Sequence, residues 1–479
     1  MKYPELKLYI DNEPVSRTAS GETLPVVNPA DGALLGALPV AGTTELRCAL
    51  SSAKRGFARW SSTLPLERYR VMTRATASIR ERADHIATVL TLEQGKPLAE
   101  SRREVLLAAD IIDFLAEEGK RLGGRGVPPR ATNILTQTVE RVPVGPVAAF
   151  TPWNFPANLP ARKLGAALSA GCSVIIKPAE ETPATCMELV RAFIDAGLPE
   201  GVLNLVCGNP AEISSTLIAD PVIAKVSFTG SVRVGKLLGE LAARHVKRYT
   251  AELGGHAPVI VCGDVDVNAV AAMAVTAKFR NAGQVCASPI RFIVHSSIYG
   301  RFRDAFVAGA RALKVGPGLE ADVQLGPLIH SRRIAEMLEL VKNAVEHGGR
   351  LLCGGKRIER PGYFFEPTVL ECVPAQARVQ QEEPFGPIAL LDVFDNLDEA
   401  ISRANCVPFG LAAYAFTHDL RVSHELGRRL HAGMIGINHF GISQPETPFG
   451  GVKESGLGSE SGLEGLLAYT DVKLVSVAS

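Results

Sequence analysis

The 479-residue sequence lacks several features that mark particular classes of protein. No run of apolar residues reaches the ~18 residues that a membrane-spanning helix needs. The 51 Lys and Arg residues nearly cancel the 50 Asp and Glu residues, so no overall field favours DNA, RNA or an anionic membrane surface. We therefore predict no nucleic-acid partner and no membrane association, and we expect local groups to hold any charged ligand.

Cysteine is scarce and scattered along the chain. The nine cysteines are odd in number and include no CxxC pair, so the sequence predicts neither a disulfide framework nor a zinc or other metal site. The N-terminal segment MKYPELKLYIDNEPV carries charges and turn residues where a signal peptide needs an apolar core. We therefore expect a cytoplasmic protein.

The chain is longer than the ~250 to 300 residues at which single hydrophobic cores stop growing, so at least two domains are expected. Residues 44–58 and 66–93 carry apolar side chains at helical spacing, which predicts two amphipathic helices. From Val144 onward, short apolar runs alternate with helical segments, which predicts a parallel, doubly wound α/β sheet. A second series of this kind starts at 258–261 and predicts another α/β domain.

Two outlying segments have the pattern of exposed strands. Residues 132–142 and 469–477 alternate polar and apolar side chains, and an exposed strand needs a partner for its edge. We predict that these two segments pair with each other and form a flap that serves oligomerisation.

The segment FRNAGQVCAS (279–288) places Cys286 between a Gly-containing turn and an apolar strand. A thiolate is a strong nucleophile towards a carbonyl carbon, and Gly283 allows a substrate to approach closely. The alternative is that Cys286 is simply a small buried apolar residue.

Two other segments end apolar strands with a polar side chain that suits acyl chemistry. Glu252 in ELGGHAP can activate water against a thioester, and partial burial would raise its pKa toward the working range. Asn154 in FTPWNFP can donate a hydrogen bond to a developing oxyanion. The alternatives are a salt-bridged surface Glu and an Asn that caps a turn.

Two further segments suit a dinucleotide. Lys177 and Glu180 in IIKPAEETP follow a predicted strand and can bond to ribose hydroxyls, although a solvated charge cluster is the alternative. Gly230 and Ser231 in FTGSVRVG open a helix predicted near 233–243, so free backbone N–H groups can face a pyrophosphate. This segment is neither a GxGxxG motif nor a P-loop.

Together and in this order, these segments resemble the aldehyde dehydrogenase superfamily over essentially the whole chain. The motifs TPWNFP, KPAEETP, FTGS, ELGG, FRNAGQVC, EEPFGP and PFGGVKESG all occur with family-like spacing. The resemblance implies the aldehyde dehydrogenase fold, an α/β fold with a Rossmann-like NAD(P)-binding domain over residues 1–122 and 143–253. It also implies an α/β catalytic domain over 254–440 and a β-strand oligomerisation flap over 123–142 and 460–479.

The resemblance implies roles for individual residues. Cys286 corresponds to the nucleophile, Glu252 to the general base, and Asn154, with the Cys286 backbone N–H, to the oxyanion hole. The residues implied to bind the cofactor are Trp153, Lys177, Glu180, Gly230, Ser231, Glu383 and Phe385. The implied reaction is attack of the Cys286 thiolate on an aldehyde, hydride transfer to the nicotinamide, and hydrolysis of the thioester by water that Glu252 directs.

Within the superfamily the sequence is most similar to succinate semialdehyde and 2-oxoglutarate semialdehyde dehydrogenases. Arg162, Arg280 and Ser443 fall where succinate semialdehyde dehydrogenases clamp the distal carboxylate, and a guanidinium binds a carboxylate through two hydrogen bonds. The implied reaction converts one of these semialdehydes to the dicarboxylic acid. The alternative for the two arginines is a structural ion pair.

Three alternative functions are compatible with this fold: a broad-specificity enzyme for uncharged aldehydes, a CoA-acylating dehydrogenase and a catalytically silent NAD-binding protein. Retention of Glu252 argues against CoA acylation, and retention of Cys286 and Asn154 argues against a silent member. Glu180 favours NAD over NADP, because a carboxylate repels a 2′-phosphate, although a rotated Glu side chain admits NADP.

Ser288 stands where some succinate semialdehyde dehydrogenases carry a second Cys two residues after the nucleophile, so a disulfide switch at that position is excluded. The resemblance also implies a homodimer or homotetramer.

Overall fold

The computed structural model describes residues 3–479. The helices are α1 Thr43–Trp60, α2 Pro65–Glu81, α3 Ala83–Gln94, α4 Leu98–Gly119, α5 Asn158–Ala170, α6 Pro183–Asp195, α7 Pro210–Ala219, α8 Val232–Arg244, α9 Val267–Phe279, α10 Ser296–Ala312, α11 Ser331–Glu346, α12 Arg378–Gln381, α13 Leu397–Asn405, α14 Leu420–Arg429 and α15 Gly462–Leu467. A short 3-10 turn spans Arg280–Gly283.

The strands are β1 Leu8–Ile10, β2 Glu13–Val15, β3 Thr23–Val27, β4 Leu34–Pro39, β5 Arg125–Gly126, β6 Ile134–Pro143, β7 Val147–Phe150, β8 Val174–Lys177, β9 Leu203–Leu205, β10 Lys225–Thr229, β11 Arg248–Glu252, β12 Ala257–Val261, β13 Pro289–His295, β14 Arg350–Cys353, β15 Thr368–Glu371, β16 Ile388–Phe394, β17 Phe409–Gly410, β18 Ala412–Phe416, β19 Met434–Ile437, β20 Val452–Lys453, β21 Gly456–Leu457 and β22 Thr470–Ala478.

The first large sheet has the order β2-β1-β9-β8-β7-β10-β11-β21. Strands β9, β8, β7, β10 and β11 run parallel to one another, and β1 and β21 flank them antiparallel, which confirms the predicted doubly wound arrangement. The chain builds outward from β7 to β9, then returns to the other side of β7 as β10. The strand order therefore reverses between β7 and β10, and a ligand crevice is expected beyond their carboxyl ends.

The second large sheet has the order β14-β15-β16-β13-β12-β18-β19 and is parallel except for β14. Its central strands are buried along nearly their whole length, as expected when helices cover both faces of a parallel sheet. Each large sheet lies in its own principal hydrophobic core. The second α/β series predicted from the sequence is thus confirmed.

The crossover helices begin and end at residues that suit helix termini. Pro183 and Pro210 open α6 and α7, where a residue without a backbone N–H costs no hydrogen bond. The Asn209 side chain accepts hydrogen bonds from the first N–H groups of α7. Gly171 ends α5 at φ 97°, a left-handed conformation that glycine adopts without strain.

The helical region before the first sheet differs in part from the sequence prediction. The helix predicted over 44–58 is confirmed as α1. The single helix predicted over 66–93 is wrong, because the chain turns at Arg82 (φ −96°, ψ 13°) and continues as α3. There the Arg82 guanidinium bonds to the Glu188 carboxylate on α6 at 2.8 Å, a tertiary contact that amphipathic periodicity does not encode.

The two outlying strands pair as predicted. β6 and β22 are antiparallel, with Thr470 opposite Pro143 and Leu474 opposite Val139, and β5 adds a third strand. Their use in oligomerisation stays a prediction.

Within residues 3–479, every helix is too short or too polar to cross a membrane. The same residues contain no group of three or more His, Cys, Asp or Glu side chains placed to hold a metal ion. The nine cysteines all lie in this range and are free thiols.

Candidate active site

The predicted site residues come together between the two large sheets, where three adjoining cavities meet. The central cavity is lined by Trp153, Asn154, Gly230, Ser231, Glu252, Cys286, Glu383 and Phe385. A crevice beyond the carboxyl ends of β7 and β10 adjoins it and is lined by Trp153, Lys177, Glu180 and Gly230. A pocket on the other side of Cys286 is lined by Arg162, Arg280 and Ser443.

A strained turn precedes Cys286 and places it at the wall of the central cavity. Asn281, Ala282 and Gly283 have φ values of 48°, 53° and 71°, so three consecutive residues adopt the left-handed conformation. A Cβ on Gly283 would lie 2.2 Å from the Gly386 carbonyl oxygen, so only glycine fits there. Cys286 follows this turn and precedes β13, as the sequence predicts.

Two carboxylates and burial control the charge of the Cys286 thiol. Withdrawal from bulk water, followed by the nearby charges of Glu383 and Glu252, raises the pKa of Cys286 to about 12. The Ala287 backbone N–H and the Arg162 guanidinium act in the opposite direction. The thiol is therefore protonated near neutral pH, and attack on a carbonyl requires that a base remove its proton.

Glu252 ends β11 and is almost fully buried. Within residues 3–479 neither of its carboxylate oxygens has a hydrogen-bond partner. Burial and the charge of Glu460 raise its pKa well above the ordinary value, against the opposing effects of Lys163 and Arg162. A buried carboxyl that lacks partners and faces the cavity with Cys286 has the properties of a general base.

Asn154 lies in the loop after β7, with its amide directed at the turn that carries Cys286. Its Nδ2 donates a hydrogen bond to the Gln284 carbonyl oxygen at 3.0 Å. This bond uses one of the two amide N–H groups and fixes the orientation of the side chain, so the other N–H is available to a substrate oxygen. The geometry suits an oxyanion donor.

The crevice at β7 and β10 has groups that fit a dinucleotide. Ser231 is the N-cap of α8, whose first backbone N–H groups therefore face the cavity that Gly230 and Ser231 line. A Cβ on Gly230 would lie 2.5 Å from the Phe228 ring, so the glycine keeps this wall open. Lys177, at the end of β8, forms an ion pair with Glu180. Together they supply a donor and an acceptor for ribose hydroxyls.

The far wall of the central cavity comes from the segment after α12. The Glu383 Oε1 accepts a hydrogen bond from the Gly255 N–H at 3.0 Å. Burial raises the pKa of Glu383 to about 7, although that N–H, Arg333 and Lys278 oppose the shift. Phe385, which has a φ of 43°, meets the Trp153 ring edge to face at 5.5 Å. A carboxyl and two aromatic rings thus surround the space that a nicotinamide riboside would occupy.

The pocket beyond Cys286 presents two guanidinium groups. Arg162 is buried, donates from Nη2 to the Ser443 Oγ at 2.7 Å and from Nη1 to the Ser461 Oγ, and lies 4.6 Å from the Phe449 ring centre. Arg280 lies 6.0 Å from the Phe155 ring centre. Neither arginine forms a salt bridge with a carboxylate in residues 3–479. This argues against the alternative of a structural ion pair.

Sequence reasoning missed several residues that support the site. Lys163 forms an ion pair with Glu460 beside Glu252, and Ser461 bonds to Arg162. Arg333 donates hydrogen bonds to the Pro384 and Phe385 carbonyls. A lysine next to Arg162 in the largely apolar helix segment LPARKLGAALSA was a usable signal for Lys163. Glu460 and Ser461 lie in the glycine-rich GLGSESG, which gives no such signal.

The chain matches known proteins over nearly its whole length. The model of the aldehyde dehydrogenase family matches residues 16–475. The chain is 49% identical to the 4-(hydroxymethyl)benzenesulfonate dehydrogenase TsaD1 of Comamonas testosteroni, over 95% of this chain and 94% of that protein. It is 41% identical to the NADP(+) succinate-semialdehyde dehydrogenase GabD of Escherichia coli, over 96% of this chain and 95% of that protein.

A solved structure shares the whole fold. The crystal structure of succinate-semialdehyde dehydrogenase from Burkholderia pseudomallei matches 99% of this chain and 98% of its own with a TM-score of 0.96 at 41% identity. The resemblance drawn from the sequence motifs and the predicted fold class are thus confirmed. The chain belongs to the aldehyde dehydrogenase family and is an NAD(P)-dependent enzyme that acts on an aldehyde.

Proposed function

We propose that this enzyme oxidises an aldehyde that carries a distal carboxylate, succinate semialdehyde or 2-oxoglutarate semialdehyde, to the dicarboxylic acid through a thioester on Cys286. One observation carries the proposal: a single pocket is lined by Cys286 and by two guanidinium groups that form no salt bridge with a carboxylate of residues 3–479. A buried guanidinium that lacks a salt-bridge partner, as that of Arg162 does, favours an anionic ligand. A protein with a net charge of only +1 depends on such a local site to capture an anion.

The proposed chemistry assigns one task to each side chain around the aldehyde. The Cys286 sulfur bonds to the aldehyde carbon after its proton has passed to a base. The second N–H of the Asn154 amide donates to the oxygen of the resulting tetrahedral species. The hydride that leaves this carbon would be taken up by NAD(P), which supplies the two-electron oxidation when it is bound. Glu252 then accepts a proton from water, whose oxygen attacks the thioester and releases the acid and the Cys286 thiol.

Removal of the Arg280 guanidinium tests the carboxylate clamp. Arg280→Ala is expected to lower kcat/KM for succinate semialdehyde about 10- to 100-fold, because a charge-assisted hydrogen bond to a carboxylate contributes ~1.5 to 3 kcal/mol. The value for hexanal, which has no charge to hold, is expected to stay within about twofold. Steady-state kinetics with both aldehydes decide, and an equal fall for the two would show that Arg280 is not a carboxylate clamp.

A sulfonate-bearing aldehyde is the second candidate substrate. A relative at 49% identity is named for a benzenesulfonate. Aromatic side chains also line the pocket between Cys286 and the arginines: Phe155, Tyr414, Phe440 and Phe449. A sulfonate presents oxygen acceptors to the same donors, and a benzene ring would lie against these aromatic walls. Comparing kcat/KM for succinate semialdehyde and 4-formylbenzenesulfonate separates the two candidates.

We also propose that NAD is preferred to NADP. The Glu180 carboxylate lies in the crevice beside Lys177, where it would accept hydrogen bonds from the 2′ and 3′ ribose hydroxyls and repel a 2′-phosphate. Glu180→Gln removes this repulsion and is expected to raise kcat/KM with NADP relative to NAD. The ratio of kcat/KM for the two cofactors is the measurement, and an NADP preference in the unaltered enzyme would contradict the proposal.

A further inference from the structure

A buried lysine outside the predicted catalytic set contacts the loop that carries Asn154. Lys96 lies between α3 and α4 and is 2% exposed. Its Nζ donates to the Asn154 backbone carbonyl at 2.7 Å and to the Glu104 Oε2 at 2.6 Å. It also lies 4.1 Å from the centre of the Phe155 ring. One cation thus contacts two consecutive residues of the loop.

Glu104 links the same lysine to the far end of this loop. Its Oε1 accepts hydrogen bonds from the Ala157 N–H at 2.9 Å and the Asn158 N–H at 3.3 Å, where α5 begins. A carboxylate at this place satisfies helix N–H groups that would otherwise lack partners. Lys96 and Glu104 therefore hold the segment from Asn154 to Asn158 at both ends, and each neutralises the charge of the other.

The nucleophile turn is tied to the same carbonyl. The Asn281 Nδ2 donates to the Asn154 carbonyl oxygen at 2.9 Å and to the Gln284 carbonyl oxygen at 3.3 Å. The Gln284 carbonyl oxygen is the acceptor that orients the Asn154 amide. The Asn154 carbonyl is thus the point at which the Lys96 amine and the turn leading to Cys286 meet.

Residues adjacent to Lys96 hold the turn from the other side. The Gln94 Nε2 donates to the Asn281 Oδ1 at 2.8 Å, and the Glu100 Oε2 accepts from the Asn281 N–H at 3.0 Å. The left-handed conformation of Asn281 persists because surrounding bonds determine it. Segment 94–104 therefore fixes the Asn154 loop and the Cys286 turn relative to each other.

We propose that Lys96 is a positioning residue for catalysis, which sets the distance between the Asn154 amide and the Cys286 sulfur by holding the Asn154 backbone carbonyl. This inference rests on the oxyanion role proposed above for Asn154. Lys96 acts through Asn154 and the loop; it does not touch the reacting atoms. A displacement of ~1 Å in a group that acts on the transition state lowers the rate about 10²-fold.

The test uses a paired substitution, because Lys96→Met alone would leave the buried Glu104 carboxylate without a counter-charge. Lys96→Met/Glu104→Gln removes both charges and keeps a side-chain oxygen for the Ala157 N–H. We expect kcat to fall at least tenfold, and the Kd for NADH, measured by fluorescence titration, to stay within about twofold. Arg102→Gln is the matched control, since Arg102 lies on α4 as Glu104 does, is exposed and, within residues 3–479, forms a salt bridge only with Asp84.

A double-mutant cycle with Asn154→Ala separates positioning from general damage to the fold. In the Asn154→Ala background we expect Lys96→Met/Glu104→Gln to change kcat less than about twofold, because the group that Lys96 positions is already gone. The inference is overturned, while the role of Asn154 stands, if the paired substitution leaves kcat unchanged. It is also overturned if the fold-decrease in kcat of the combined variant equals the product of the decreases caused by the paired substitution and by Asn154→Ala. If Asn154→Ala alone leaves kcat unchanged, the oxyanion role fails and the inference fails with it.

Discussion

The protonation of Cys286 and Glu252 follows from where each side chain lies. Both groups are withdrawn from water in the cavity between the sheets, which raises the pKa of Cys286 to about 12 and that of Glu252 well above its ordinary value. The Cys286 thiol is therefore protonated near neutral pH, and the Glu252 carboxyl takes up a proton at a higher pH than an exposed glutamate does. The reactive form of a thiol nucleophile or of a carboxylate base is the deprotonated one, so burial opposes the reactive form of both groups in the roles proposed for them.

This arrangement predicts the pH dependence of thiol alkylation. With a raised pKa, the thiolate fraction of Cys286 is small at pH 7 and grows about tenfold per pH unit up to the pKa. The rate of Cys286 alkylation by iodoacetamide, followed by peptide mass spectrometry without cofactor, should therefore keep rising from pH 7 to pH 10. Free cysteine, whose pKa is ~8.5, provides the reference and should level off within this range. A plateau for Cys286 below pH 9 would contradict the account.

For individual side chains, the sequence predicted the candidate site residues that lie in recognisable motifs. It missed the residues that contact and position them. Cys286, Glu252 and Asn154 are recognisable because each lies in a short segment with its own composition. Lys96 and Glu460 act through contacts with residues more than fifty positions away in sequence. No local pattern encodes such contacts, so only the folded structure shows them.

Among the elements, local patterns predicted the strands and crossover helices of both sheets well. The helical segments predicted between the apolar runs after Val144 include α6 and α7, whose starts are marked by proline and whose lengths follow the apolar periodicity. The break at Arg82 and the long α4 were not predicted. Tertiary contacts made by Arg82 and the burial of one face of α4 against its neighbouring helices determine them.

The flap of β5, β6 and β22 leads to a prediction about assembly. Val472 and Leu474 lie on one face of β22 and are 61% and 60% exposed, so the chain alone leaves this apolar surface in water. If the flap serves oligomerisation, Val472→Lys/Leu474→Lys should shift the enzyme to a smaller species, because buried lysines without partners are costly at an interface.

Sedimentation velocity measures the shift. Leu338→Lys is the matched control, because Leu338 is a partly exposed leucine on α11, outside the flap. If the flap variant keeps the same assembly as the unaltered enzyme, the flap does not form the interface between subunits.

For the whole molecule, the candidate active site lies where the two large sheets meet. Asn154 and Glu252 lie at the carboxyl ends of β7 and β11 in the first sheet, while Cys286 precedes β13 in the second. The resemblance of the motifs to a known family predicted which residues meet. The pocket proposed for the substrate depends on how the loops around 280 and 443 approach α5, and identity to relatives with different named substrates does not specify that arrangement.

The central claim is that Cys286 forms a thioester with the oxidised substrate, and trapping that species tests it most directly. Glu252→Gln enzyme is mixed with NAD and succinate semialdehyde, quenched in acid and digested for peptide mass spectrometry. Because the base that directs water is gone, a succinyl group should accumulate on the peptide that contains Cys286, and Cys286→Ala should abolish both the adduct and turnover. An unmodified Cys286 with the acyl group on another cysteine, or near-normal turnover by Cys286→Ala, would contradict the account.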